Sequence, residues 1–273
     1  MRHSMGMDIL ALALYAASFA GYALHLYRDR PWSGRLATLL LILAIVVHYY
    51  ALLERSRAIH AIPYDDLYGS MSLFAWLLAV TYLGLETYHR QRAVGSLVVP
   101  FVMFWLLVAV VVAPSNVHHE PAANGALFAL HITIGILAYA AFAISFLLSV
   151  IYLIQNRGLR HGRPGLAFWR FPALEVLERM SRSSVWVGLV SLAIGTTLGF
   201  VWEHRLTGHF AIGDPKVLVT LVVLAVYVIY LAIVHAPAWR GARAAMVCAC
   251  NFVIVLFSYT VVNVYFTGFH RFF

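Results

Sequence analysis

An all-α polytopic integral membrane protein, with about eight transmembrane helices and both termini outside, is the fold the sequence predicts. Three observations predict it. Hydrophobic residues make up 63% of the 273 and charged residues only 11%, against roughly 25% charged in a soluble globular chain. Eight apolar runs approach the roughly 20 residues that a helix needs to cross a bilayer. The basic residues fall mainly in the gaps between those runs.

The runs cover 7–26, 36–53, 67–86, 95–113, 127–154, 185–202, 217–234 and 244–266. The first reads as a retained span: basic Arg28 and Arg30 follow it, and no small-x-small cleavage site does. Asp65 and Asp66 stand where a carboxylate would cap the third span. The longest gap, 155–184, is basic. Its part 172–181 has Pro172 at the first helical position, acidic Glu175 in the first turn, and Leu174 and Leu177 on one face. That pattern predicts a short interfacial helix, or a docking surface for a soluble partner. In the eighth run Cys248 and Cys250 are two positions apart and point to opposite sides of a helix, so they are not a disulfide pair. No repeat or low-complexity tract divides the chain, which predicts one membrane domain over 1–273.

The odd-numbered gaps carry 13 basic residues and the opposite side carries 6. The positive-inside rule then puts the odd gaps in the cytoplasm and both termini outside. The net charge of +8 is explained by this asymmetry, and nucleic acid is excluded as a partner. A soluble enzyme is excluded by composition. Coupled small-solute transport is disfavoured: Asp8 and Glu86 sit near span ends, and no inverted repeat is visible.

The chain has 13 histidines. With this topology nine lie outside or towards the outer face: His3 at the N-terminus, His48, His60, His118, His119, His131, His204, His209 and His270. None has the H-x-x-x-H spacing of a zinc helix. Two histidines from distant spans meeting at one face would suit haem, which takes one axial ligand on each side. Each could equally be a hydrogen-bonded interface residue. His48 could line a route to such a site or bond within the interior.

The segments LHITIGILAYAAFAISFLLSVIYLIQ (130–155), VGLVSLAIGTTLGFVW (187–202), DPK (214–216), AWRGARAA (238–245) and YTVVNVYFTGFH (259–270) resemble the membrane cytochrome c assembly family. This is the CcsA/ResC type, which includes HemX-like relatives. IHAIPYDDLYGSMSLFAWLLAVTYLGLE (59–86) is similar to that family's His-x-x-Pro and the helix start after it. The resemblance covers about 80% of the chain.

The resemblance implies a non-covalent b-type haem at the outer face, with His131 and His270 as iron ligands. It implies a tryptophan-rich outer loop ending in W-D-P-K-E, over which the haem lies. Here that loop, 204–217, keeps Asp214, Pro215 and Lys216. It has Thr207, Ala211 and Gly213 at three tryptophan positions, keeps an aromatic as Phe210, and ends on Val217. Trp202 matches an upstream tryptophan. Lys216, Arg205 or Arg271 could pair with a propionate. An inner histidine of the family falls at Ala232; His235, one turn later, either replaces it or is an interface residue.

The function this implies is haem handling in cytochrome c biogenesis, in the bacterial cytoplasmic membrane with the site loops outside. The partners would be lipid and an apocytochrome c or a second assembly subunit. The alternative is a HemX-like regulatory or structural partner that kept the fold without haem transfer. No self-contained catalytic motif is present.

Overall fold

The computed structural model describes residues 2–28, 30–59, 66–112, 125–163, 165, 169–209 and 214–265, and of residues 2–4, 237 and 257–265 the backbone alone. Among them are eight long helices and no strand: α1 (Arg2–Arg28), α2 (Pro31–Ile59), α3 (Leu67–His89), α4 (Gly95–Val112), α5 (Ala126–Arg160), α6 (Leu174–Thr207), α7 (Pro215–Ile233) and α8 (Ala242–Tyr265). Every expected span has its helix. The first seven are long and apolar enough to cross a membrane.

α1, α2, α3, α5 and α6 run further than their apolar runs do. α5 has 35 residues and α6 has 34, so each is roughly 50 Å long at 1.5 Å per residue, against about 30 Å of hydrocarbon. The expected interfacial helix at 172–181 is therefore not separate. It is the first two turns of α6, which starts at Leu174 with Glu175 in its first turn. Alternating Glu and Arg side chains sustain it: Arg179 pairs with Glu175 at 3.2 Å and Arg182 with Glu178 at 3.4 Å, both one turn apart. The gap expected at 155–184 narrows accordingly to the residues between Arg160 and Leu174.

The described chain divides into two compact units. The first holds α1–α4 with residues 165 and 169–173; the second holds α5–α8. In the first, α1 packs on α2 and α4, and α3 packs on α2 and α4. The buried face of α1 is Ala11, Tyr15, Ser18 and Tyr22 after Asp8, a three-four spacing that keeps one stripe inward. Small residues let the backbones close. A Cβ on Gly21 would lie 2.9 Å from that of Ala37, and one on Gly95 would lie 2.7 Å from the Tyr22 ring.

The first unit contains charge that the sequence reading places at span ends or in a loop. Arg55, expected in an outer loop, is in α2 and 3% exposed. Its Nη2 pairs with Asp66 Oδ2 at 2.7 Å, and its guanidinium lies 4.5 Å above the Tyr68 ring. Tyr68 donates to Asp8. Asp66 also caps α3, accepting from the Gly69 amide at 2.8 Å; Asp65 lies outside the described residues. Asp8 and Glu86 are buried, not merely near the ends. Glu86 accepts from Tyr22 and Thr38, each at 2.5 Å. His48 is fully buried, its two ring nitrogens taken by Ser72 Oγ at 2.9 Å and Tyr15 Oη at 3.3 Å. The interior-bonding alternative holds for it, and no nitrogen is left to bind a ligand.

In the second unit α5 and α6 form the most extensive helix pair, and α8 packs on α5 and α7. Phe142 on α5 stacks on Tyr227 of α7, with centroids 3.8 Å apart. Gly188 of α6 leaves room for it: a Cβ there would lie 2.5 Å from the Phe142 ring. Cys248 is buried and donates to Ser145 Oγ at 3.4 Å, while Cys250 is exposed; both thiols are free. Large apolar side chains elsewhere face outward, as on Leu39 and Val111. That is the expected surface of helices bathed in lipid, where packing rather than water exclusion holds helices together.

Candidate haem-ligand site

His131 lies in the second turn of α5, half-buried against α6. Its Nδ1 is 2.7 Å from the Gly195 carbonyl oxygen. A carbonyl only accepts, so Nδ1 carries the proton, and the lone pair of the neutral ring is on Nε2. Nε2 makes no hydrogen bond among the described residues. An imidazole with Nδ1–H tied to a carbonyl and Nε2 open is the usual arrangement of a metal-ligating histidine.

Aromatic rings flank it. Phe128, one turn earlier on α5, has its ring centroid 6.2 Å from that of His131 and stacks on Trp202 of α6 at 4.3 Å and 27°. Trp202 was legible in the sequence. Phe128 was not, although its place three residues before His131 on one helix face was the available signal. The structure brings Trp202 and His131 together through Phe128.

Asp214 and Lys216 have a structural role that explains their order. Asp214 is the N-cap of α7, its Oδ1 accepting from the Lys216 amide at 2.7 Å, with Pro215 at the first helical position. Asp214→Ala is expected to destabilise the second unit by about 0.5–2 kcal/mol, read as a lower unfolding midpoint in detergent. Thr207, at a tryptophan position of the family, closes α6 instead: its hydroxyl donates to the Glu203 carbonyl and accepts from the His209 amide, and Gly208 takes φ of 73°. Phe210 and His270 lie outside the described residues, as do His60, His118, His119, Ala211, Gly213 and Arg271.

His235 is placed elsewhere. It follows the end of α7, in an exposed turn where its carbonyl accepts from Arg240. It is therefore beyond the helix, not on a face shared with Ala232. It is separated from Asp214 by the 19 residues of α7, roughly 28 Å of helix, so it takes no part in a site with Asp214 and Lys216.

A half-buried neutral imidazole with an unbonded Nε2 beside an aromatic pair has the chemistry that would hold a haem iron next to apolar surface. Among the described residues no group of three or more His, Cys, Asp or Glu side chains is placed to hold a metal ion.

These features define a polytopic integral membrane protein with a candidate ligand histidine at one end of a helix pair. Residues 64–270 match the family described as Cytochrome C assembly protein, and the chain belongs to that family. Several curated relatives carry the name cytochrome c biogenesis protein CcsA. That of Pyropia yezoensis is 24% identical, covering 88% of this chain and 87% of its own length. That of Synechococcus sp. (strain CC9311) is 26% identical, covering 98% and 96%. That of Chlamydomonas reinhardtii is 28% identical, covering 86% of this chain and 66% of its own length.

Proposed function

We propose that this chain handles haem in cytochrome c biogenesis, with His131 and His270 as the residues that would hold its iron at the outer membrane face. The family and the relatives' names support the role in cytochrome c biogenesis. The observation that carries the haem reading is the His131 ring, tied at Nδ1 to Gly195 and open at Nε2. His270 follows α8 in sequence, and the basic-residue count assigns both histidines to the same side.

The residues have separable tasks. His131 supplies a neutral nitrogen whose tautomer is set before any ligand arrives. Phe128 and Trp202 give an apolar wall beside it, taking up part of the surface that Thr207, Ala211 and Gly213 no longer offer. Lys216, in the first turn of α7, is the cation nearest in sequence to Asp214 and suits a propionate. Haem, when bound, supplies the iron and the vinyl groups to which cytochrome c thiols are added. Every other contribution of the chain is binding and orientation, not acid–base chemistry. The partners in this reading are an apocytochrome c or a second assembly subunit. The two units then act as one membrane domain in a bacterial cytoplasmic membrane.

A pyridine haemochrome assay on the detergent-purified protein tests this. The expected result is close to one haem per chain. A clean protein that stays free of haem after haem is added would favour the HemX-like alternative, for which the three lost tryptophans are the supporting observation.

A further inference from the structure

We propose that Gly199 is a positioning residue for His131, acting with the Gly195 carbonyl as a seat that fixes how far the imidazole sits from α6 and which nitrogen it presents. This rests on the reading of His131 as an iron ligand. Two glycines in a helix interior weaken it relative to alanine, so their presence at this place calls for a reason.

The geometry gives one. A Cβ on Gly199 would lie 2.6 Å from His131 Cε1 and 2.8 Å from Nδ1. Only the bare glycine leaves the space in which the ring lies. Gly195, one turn earlier on the same face of α6, accepts the Nδ1–H hydrogen bond at 2.7 Å. A Cβ on Gly195 would lie 3.3 Å from the Gly135 amide nitrogen of α5. The two backbones therefore approach closely there, and the carbonyl comes within reach of a ring on the neighbouring helix. A helix carbonyl has a second lone pair after its own backbone bond, so it can accept this proton without breaking α6.

The seat does two things together. Gly199 sets the depth of the ring, and Gly195 sets its tautomer. Turning the ring over would remove the Nδ1–H bond and leave the carbonyl with one partner fewer. Nε2 is thereby held on the side away from the Gly195 carbonyl before any ligand arrives. His48 is the contrast: both its nitrogens are engaged by hydroxyls.

Histidine-selective 15N NMR of the haem-free, full-length protein tests the seat directly, with His131 assigned through His131→Gln. The wild type is expected to show a single neutral tautomer protonated on Nδ1. In Gly199→Ala the added methyl displaces the ring, so that signal should give way to mixed tautomers, and the haem concentration for half-saturation should rise about tenfold or more, as for loss of an orienting partner. Gly188→Ala is the packing control. It crowds Phe142 on the same helix pair and should leave the His131 tautomer unchanged. The proposal is overturned if Gly199→Ala keeps the wild-type tautomer, or if Gly188→Ala disturbs it equally. If the wild type takes up no haem, the ligand reading fails, while the NMR comparison still decides the seat.

Discussion

Replacing His131 by alanine is expected to leave the purified protein without stoichiometric haem. Among the described residues His131 is the histidine with a tied Nδ1, an open Nε2 and an aromatic pair beside it. On the proposed reading His131→Ala takes away one of the two nitrogens that would hold the iron and leaves His270 to hold it alone. The Soret absorbance per chain should fall to background in a variant that keeps its helical circular dichroism. The space left by the ring lies against Gly199, so millimolar imidazole should restore part of the signal. Full haem retention in the variant without imidazole would sink the assignment of this residue.

Arg55→Met is expected to destabilise the first unit by about 3–5 kcal/mol, the usual cost of breaking a buried ion pair from one side. Arg55 and Asp66 are 3% and 4% exposed. The substitution leaves the Asp66 carboxylate buried without its cation and the Tyr68 face without the guanidinium. The double variant Arg55→Met/Asp66→Asn should be more stable than the single one. It removes both charges together, and asparagine still caps α3. Denaturation in detergent, followed by circular dichroism, reads both. A single variant within about 1 kcal/mol of wild type would show that the pair contributes little, as exposed pairs do.

The number and order of the helices were legible because membrane spans need long apolar runs, and each run became a helix. Their ends were not legible. Backbone hydrogen bonding continues past the membrane boundary into polar residues, so Arg157 and Arg160 close α5, and Leu174 opens α6 well before its apolar stretch. Buried charge was missed for a related reason. Arg55 reads as a loop residue until α2 is seen to run to Ile59, and Asp8 reads as a span end until Tyr68 is seen against it. His131, Trp202 and Asp214 were legible through the family's wording. The reasons for Gly195 and Gly199 were not, because a glycine's purpose shows only once the ring occupying its missing side chain is in place. Phe128 was hidden among many apolar neighbours for the same reason.

Electron paramagnetic resonance of the ferric protein, compared with His131→Ala and His270→Ala, tests the central claim most directly. The account predicts a low-spin signal of two imidazole ligands in the wild type, and its loss or conversion to high spin in each variant. A low-spin signal that persists unchanged in His131→Ala would contradict it and place the iron, if bound, on other ligands.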